Sequence, residues 1–258
     1  MSEPAVEVVT VDAGNVDRLG FFCYKSKPKS EGYSAKRDWL ERRFGEGLGL
    51  KIAYAGGWPR GMIEVAPGEH AWRAVHASGY AVIHCLWVVG QGKGKGYGSR
   101  LLAECEVEAR RAGQHGVAVV TTRRTWLPGS RFFLRRGYEK VDEAPPCFDL
   151  LVKRFGAVQL PVFPTDWQER ARAFGAGLTL VQTGQCPYNA ATVRMALETA
   201  RGMGIKARAV DLIASEQVRA QSPSAYGTLA LVLDGRLLSY HPVGQKELVE
   251  ALAPGSAK

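Results

Sequence analysis

A strongly apolar stretch that runs into a glycine-rich basic loop and then into a long helix constrains this chain more than any other part of its sequence. The segment reads Cys85-Leu-Trp-Val-Val-Gly-Gln-Gly-Lys-Gly-Lys-Gly-Tyr-Gly-Ser-Arg-Leu-Leu102. The run Tyr80–Val89 predicts a buried strand. Leu101, Leu102, Cys105 and Ala109 recur along one side of a predicted helix, Tyr97–Ala112. Between the two, glycines at 94, 96 and 98 permit positive φ and close approach, so that backbone N–H groups converge on an anion. The helix dipole adds positive potential at the same place. A Walker A loop does not fit, because no glycine is followed five and six residues on by Gly-Lys and then Ser or Thr. A Rossmann fingerprint fits poorly: Ser99 stands where the third glycine belongs, and about four strands precede the loop.

The 258 residues suggest two domains, and 46% hydrophobic with 23% charged residues describes a globular chain with a real core. A long charge-free stretch, Ala74 to Gly92, is interrupted by His76, Ser78, His84 and Gln91, too polar for a membrane span. MSEPAVEVV carries no basic-then-apolar leader pattern. Five cysteines without a CxxC pair argue against a zinc site or a disulfide scaffold and point to a reducing cytoplasm; His70 and His76 lack a third metal ligand. Residues 1–156 hold 24 Lys and Arg against 17 Asp and Glu, so an anionic partner is expected there.

The uncharged, proline-containing stretch 156–165 places a domain boundary near residue 157, giving domains 1–156 and 157–258. In the first, the pattern predicts strand Val6–Thr10, helix Val16–Lys25, a helix around Ala35–Phe44, a hairpin of Lys51–Ala55 with Gly61–Val65, and a long connection 66–79. Beyond the glycine loop come strand Val117–Thr122, helix Ser130–Arg135, and strands near Tyr138–Val141 and Phe148–Val152. This is an α/β (α+β) domain with a mixed central sheet. Thr165 with Gln168 reads as a capping box ahead of helix Asp166–Phe174. The second domain then alternates: strand Leu178–Gln182, helix Asn189–Met203, strand Lys206–Asp211, helix Ser215–Ala220, strands Thr228–Leu233 and Leu237–His241 across the Asp234-Gly235 turn, and helix Gln245–Leu252.

Lys93-Gly-Lys-Gly96-Tyr-Gly98 resembles the Arg/Gln-x-x-Gly-x-Gly/Ala loop of the GNAT acetyltransferase superfamily. Leu86-x-Val88 is similar to the family's cofactor-facing strand end, and Ser130-Arg-Phe-Phe-Leu-Arg-Arg-Gly-Tyr138 to its late helix. The resemblance covers roughly residues 5–155. It implies acetyl-CoA as cofactor, released as CoA, and direct attack of a neutral primary amine on the thioester. Lys93, Gly94, Lys95, Gly96, Tyr97, Gly98 and Ser99 would hold the pyrophosphate, and Leu86, Trp87 and Val88 the pantetheine. A backbone N–H near Leu86–Val88 would stabilise the oxyanion. Arg123, Arg124, Arg131, Arg135 and Arg136 are candidates for the 3′-phosphate. Where many members carry a tyrosine acid this chain has Phe133, which leaves Tyr138 and Cys147 as substitutes. For the base, His84 and Glu64 lie on strands bordering the cleft. Trp72, Arg73 and His76 sit in the long connection, for which two readings stand: part of the acceptor wall, or, more plainly, a loop anchored by one tryptophan.

Gln185-Cys186-Pro-Tyr-Asn189 falls between a strand and a helix, as the redox motif of thioredoxin-like proteins does, and residues 178–252 resemble the YoaP-like, thioredoxin-like domain found behind GNAT domains. A thiol at a helix N-terminus is expected to have a lowered pKa, which makes Cys186 a candidate redox thiol. Asn189 replaces the second cysteine, and Gly227 stands where a proline is usual. Three functions follow for comparison. The first is an N-acyltransferase acting on a small-molecule or peptide amine. The second is a monothiol redox module using Cys186 behind a first domain that only senses CoA. The third is a nucleic-acid binder, which the absence of a stacking motif or recognition helix argues against.

Overall fold

The computed structural model describes residues 5–253, and they form two sheets packed through shared cores. The first comprises β1 (Val6–Val11), β2 (Gly49–Ala55), β3 (Trp58–Pro67), β4 (Tyr80–Val88), β5 (Gly116–Thr122), β6 (Glu139–Ala144) and β7 (Phe148–Arg154), in the order β1-β2-β3-β4-β5-β7-β6. Its neighbours are antiparallel except β4 and β5, whose parallel pairing runs only from Tyr80–Ile83 against Gly116–Val119. Beyond Ile83 the two strands splay apart. Every residue of β5 is buried, as expected of a strand covered on both faces.

The helices are α1 (Val16–Leu19), α2 (Glu31–Phe44), α3 (Tyr97–Arg111) and α4 (Ser130–Leu134) in this part, and α5 (Trp167–Arg172) after the connection. The helix expected over Val16–Lys25 stops at Leu19, because Gly20 turns to φ +67 and Phe22 and Tyr24 also take positive φ. Conversely, α2 begins four residues earlier than expected, where the Ser30 hydroxyl accepts from Tyr33 N–H. The Thr165 capping box does not form: α5 starts after Asp166, whose carboxylate takes the Arg170 guanidinium at 2.7 Å instead.

The second sheet holds β8 (Leu178–Gln182), β9 (Ala207–Asp211), β10 (Leu229–Leu233) and β11 (Arg236–Ser239) in the order β11-β10-β8-β9, with helices α6 (Asn189–Gly202), α7 (Ser215–Gln221) and α8 (Gln245–Leu252). β8 and β9 are parallel and joined through α6; β10 is antiparallel to both β8 and β11. Asp234 and Gly235 both have positive φ, the geometry a two-residue hairpin favours.

The two parts are not loosely tethered. Trp39, Leu50 and Trp72 share a core with Val181 and Ala230 of the second sheet, and Tyr80 and Phe148 share another with Leu180, Val193 and Tyr240. The connecting segment is bound too, since His76 and Val162 exchange backbone hydrogen bonds of 2.9 and 3.1 Å. At the seam, α2 meets the turn before α6 so closely that a Cβ on Gly32 would stand 2.0 Å from the Pro187 carbonyl oxygen. Among the described residues, no helix is long and apolar enough to cross a membrane.

Candidate active site at the seam of the two sheets

The splay leaves one edge of β4 free. Val89 N–H bonds Arg60 O across to β3, and an antiparallel ladder alternates, so Leu86 and Val88 turn their N–H and C=O groups into the opening. The glycine loop follows at once. Gly94 and Gly96 sit at φ +80 and +79, with no atom within 4 Å of where a Cβ would lie, so the left-handed backbone is what demands glycine here. Gly96 is the N-cap of α3 and has no side chain to satisfy its first-turn amides, which are left to an outside acceptor. Arg136 braces the rim, donating 2.6 Å bonds to Ser99 Oγ and Phe132 O while lying over the Phe132 ring. This uncapped basic cradle fits a phosphate-bearing cofactor.

Beside it opens a cavity of about 880 Å³ lined by both parts of the chain, Leu86 to Val88, Lys93 and Gly98 among its walls. Its floor rests on an irregularity in β4. The pairing passes from Glu64 opposite Cys85 to Val65 opposite Ile83, which leaves His84 as an extra, bulged residue. The bulge aims His84 inward: Nε2 accepts from Trp72 N–H at 3.0 Å, and Nδ1 faces Glu64 Oε1 at 3.5 Å. The neutral ring therefore carries its proton on Nδ1. Burial pulls His84 down from 6.5 to about 4 against the opposing pull of Glu64. Burial alone would raise the Glu64 carboxyl, but Lys36 and His84 outweigh it and hold it at about 2. Lys36 Nζ stands 2.5 Å from Glu64 Oε2, both side chains buried, with the ammonium 4.2 Å from the Trp39 ring centroid.

The second sheet completes this floor. Gln185 Nε2 donates to Glu64 Oε1 at 2.9 Å. Arg73 Nη1 donates to Gln185 Oε1, Thr228 Oγ1 and Tyr226 O at 2.7–2.9 Å, and its Nη2 to the carbonyl of His84 itself. A buried guanidinium thus ties the β4 bulge to residues that flank the second sheet. Arg73 falls in the connection whose plainer reading is a simple loop, and no local pattern marks Lys36, Gln185 or Thr228. Their partners lie 28 to 155 positions away, and only the unusual cost of burying Lys or Arg marks them.

Of the sequence candidates, the cavity gathers Glu64, His84, Leu86, Trp87, Val88, Lys93, Gly98 and Cys186. Gly94, Lys95, Gly96, Tyr97 and Ser99 lie at its rim in the loop and the start of α3. Phe132 lines the cavity, whereas Phe133 is fully buried against Tyr138. Tyr138 sits in that same core and Cys147 bonds Thr122 and Tyr240, so both proposed acid substitutes lie outside the cavity. The expected low thiol pKa of Cys186 does not hold: burial raises it above the ordinary value, against the Tyr188 N–H and the Lys36 and Arg73 charges. No group of three or more His, Cys, Asp or Glu that could hold a metal occurs among the described residues.

Comparison with known proteins adds to this geometry. The chain is 26% identical over 237 residues to an uncharacterized N-acetyltransferase, YoaP, of Bacillus subtilis strain 168, covering 90% of this chain and 92% of that protein. Among solved structures it is similar to the PaiA N-acetyltransferase of Thermoplasma acidophilum in complex with coenzyme A. There the TM-score is 0.43 and the identity 16%, over 58% of this chain and 99% of that one. A GNAT family acetyltransferase of Brucella melitensis in complex with acetyl-CoA gives a TM-score of 0.40 and 16% identity, over 62% and 94%. Residues 17–138 match the model of the Acetyltransferase (GNAT) family, and that span holds the strand, glycine loop and helix described above.

Proposed function

We propose that this chain is an acetyl-CoA-dependent N-acetyltransferase that modifies a primary amine, on a small molecule or a peptide, held in the cavity between its two domains. The observation that carries the reading is the β4–β5 splay, which opens beside an uncapped glycine-rich helix start and onto a floor bearing one buried carboxylate. Acetyl-CoA, when bound, supplies the acetyl thioester and leaves as CoA. Residues Lys93 to Ser99 hold its pyrophosphate through loop and helix amides. Leu86, Trp87 and Val88 take the pantetheine along the free edge of β4, where an inward-turned amide of Leu86 or Val88 also polarises the thioester carbonyl.

Glu64 and His84 act together on the acceptor. Glu64 has given one oxygen to Lys36 and shares the other with Gln185 and His84, and its remaining lone pair accepts an N–H of the amine. His84, fixed by Trp72 N–H, keeps the carboxylate in place while staying uncharged. A carboxyl held at about 2 orients the amine but does not keep its proton, which passes to solvent. Phe132 and Phe133 offer no hydroxyl to the leaving sulfur.

Residues 1–156 form the GNAT domain in this reading and residues 157–258 a thioredoxin-like domain, supported by the order β11-β10-β8-β9 and by the helix that joins the parallel pair. The turn at Gln185–Tyr188 then serves as a wall of the acceptor site. All five cysteines are free, in keeping with a cytoplasmic setting. Calorimetric titration of the purified protein with acetyl-CoA tests the cofactor assignment. Saturable binding that disappears in Gly96→Asp, with circular dichroism unchanged, is the expected result. Equal affinity in variant and parent would remove the assignment.

A further inference from the structure

Charge on the cavity floor does not balance. Lys36 and Arg73 are buried cations, and Glu64 is the one carboxylate among the described residues lining the cavity. Pairing Lys36 with Glu64 leaves Arg73, whose acceptors are all uncharged: the carbonyls of Trp72, His84 and Tyr226, Thr228 Oγ1 and Gln185 Oε1. Its Nε has no acceptor among the described residues. His84 adds no negative charge to the floor. A buried charge without a counter-ion is costly, so this floor favours an anionic group in the occupant.

Other residues that line the cavity have different chemistry. Trp87 and Trp126 remain 38% and 39% exposed, and Trp126 is held at φ +77, strained for a bulky side chain, with its ring edge-on to Tyr188 at 5.5 Å. An apolar body fits against these rings.

We propose that the acceptor is a small amine that also bears a carboxylate, of the α-amino-acid type, with an apolar side chain. Its amine lies on Glu64, its carboxylate on Lys36 and the positive field of Arg73, and its side chain against Trp87 and Trp126. Because Lys36 and Glu64 touch, the two polar groups must be neighbours on the acceptor, as they are on an α-carbon. With its amine neutral and ready to attack, such a molecule carries one negative charge, opposite to the floor. A polyamine or aminosugar would bring more positive charge to a floor that is already positive. Transfer forms the bond from amine nitrogen to acetyl carbon as the bond from acetyl carbon to sulfur breaks; one amine proton goes to solvent and the sulfur regains one.

This inference rests on the acetyltransferase reading of the same site, and the test separates the two. Purified full-length protein with acetyl-CoA is offered matched pairs: L-phenylalanine against phenethylamine, L-leucine against isopentylamine, L-methionine against 3-(methylthio)propylamine, with acetylated product measured by mass spectrometry. At least one amino acid is expected to exceed its decarboxylated partner by about 10–100-fold in kcat/KM, the worth of a hydrogen-bonded charge pair. In Lys36→Gln that ratio should fall several-fold. The wild-type comparison stands alone if the variant does not fold. Equal or better turnover of the decarboxylated amines overturns the acceptor class while leaving acetyl transfer in place. No turnover of any amino acid by a protein that binds acetyl-CoA overturns the class as well. No binding of acetyl-CoA overturns the parent reading.

Discussion

Arg73 Nη1 lies 2.7 Å from Gln185 Oε1, and through this contact the long connection ahead of β4 grips the turn ahead of α6. The same guanidinium donates from Nη2 to the carbonyl of His84, the bulged residue of β4. One side chain therefore holds both the β4 bulge and the turn at Gln185 that lines the cavity.

Replacing it should separate positioning from cofactor binding. Arg73→Met leaves at least two buried acceptors unpaired and is expected to cost about 3 kcal/mol of stability. The accompanying fall in melting temperature is roughly 6–12 °C. With the bulge released, kcat should drop about 100-fold, the usual effect of misplacing reacting groups by an ångström. Affinity for acetyl-CoA, measured by calorimetry, should stay within about threefold, because the glycine loop does not touch Arg73. A parallel loss of affinity would show that the seam also shapes the loop.

Gly32→Ala tests the seam from the other side. The added Cβ would stand 2.0 Å from Pro187 O, and neither atom sits on a side chain that can swing away. The contact between α2 and the turn before α6 must open, at a cost of about 3 kcal/mol or more in urea unfolding. Gly94→Ala offers a contrast: nothing lies near its Cβ, so backbone strain of about 1–2 kcal/mol is the whole expected effect.

Acid should destabilise the protein earlier than carboxylate titration alone would. His84 falls from 6.5 to about 4 on folding, so between those values the unfolded chain binds the extra proton and stability declines as pH drops. Glu64, lowered from 4.5 to about 2, contributes stability above 4.5 that is lost as pH falls through its folded value. Both slopes have the same sign, each approaching about 1.4 kcal/mol per pH unit within its window. Urea midpoints measured from pH 7 to 4 should fall steadily, and His84→Gln should flatten the upper half of that window.

Cys186 should behave as an inert thiol. Burial raises it above its ordinary value, so iodoacetamide at pH 7.5 is expected to modify it more slowly than free cysteine, with the rate rising only at alkaline pH. Rapid modification at neutral pH, localised by peptide mass spectrometry, would contradict this.

The elements themselves were largely legible, because their signals are local. The apolar run of β4, the alternation of α3 and the Asp234-Gly235 turn each lie within a dozen residues and carry their own periodicity or turn chemistry. The misreadings have physical causes of the same scale. Gly20 ended a helix whose apolar pattern continued to Lys25, and Ser30 began one that polar residues concealed. Glu64 and His84 could be picked out as polar residues on apolar strands. Lys36, Arg73, Gln185 and Thr228 could not, since their partners belong to distant elements and no local pattern records a hydrogen bond between them. Cys186 misled for a related reason: its place before a helix is local, but the burial that raises its thiol is set by tertiary packing.

The bulge at His84 carries a consequence for how such a chain can change over generations. Its geometry is recorded jointly by Glu64, Arg73, Gln185 and Thr228, two residues from each half. A recombination event joining the first half to a foreign second half would inherit a glycine loop that works and a floor that does not. The halves are therefore expected to travel as a pair, and drift at position 185 or 228 is answerable to position 73.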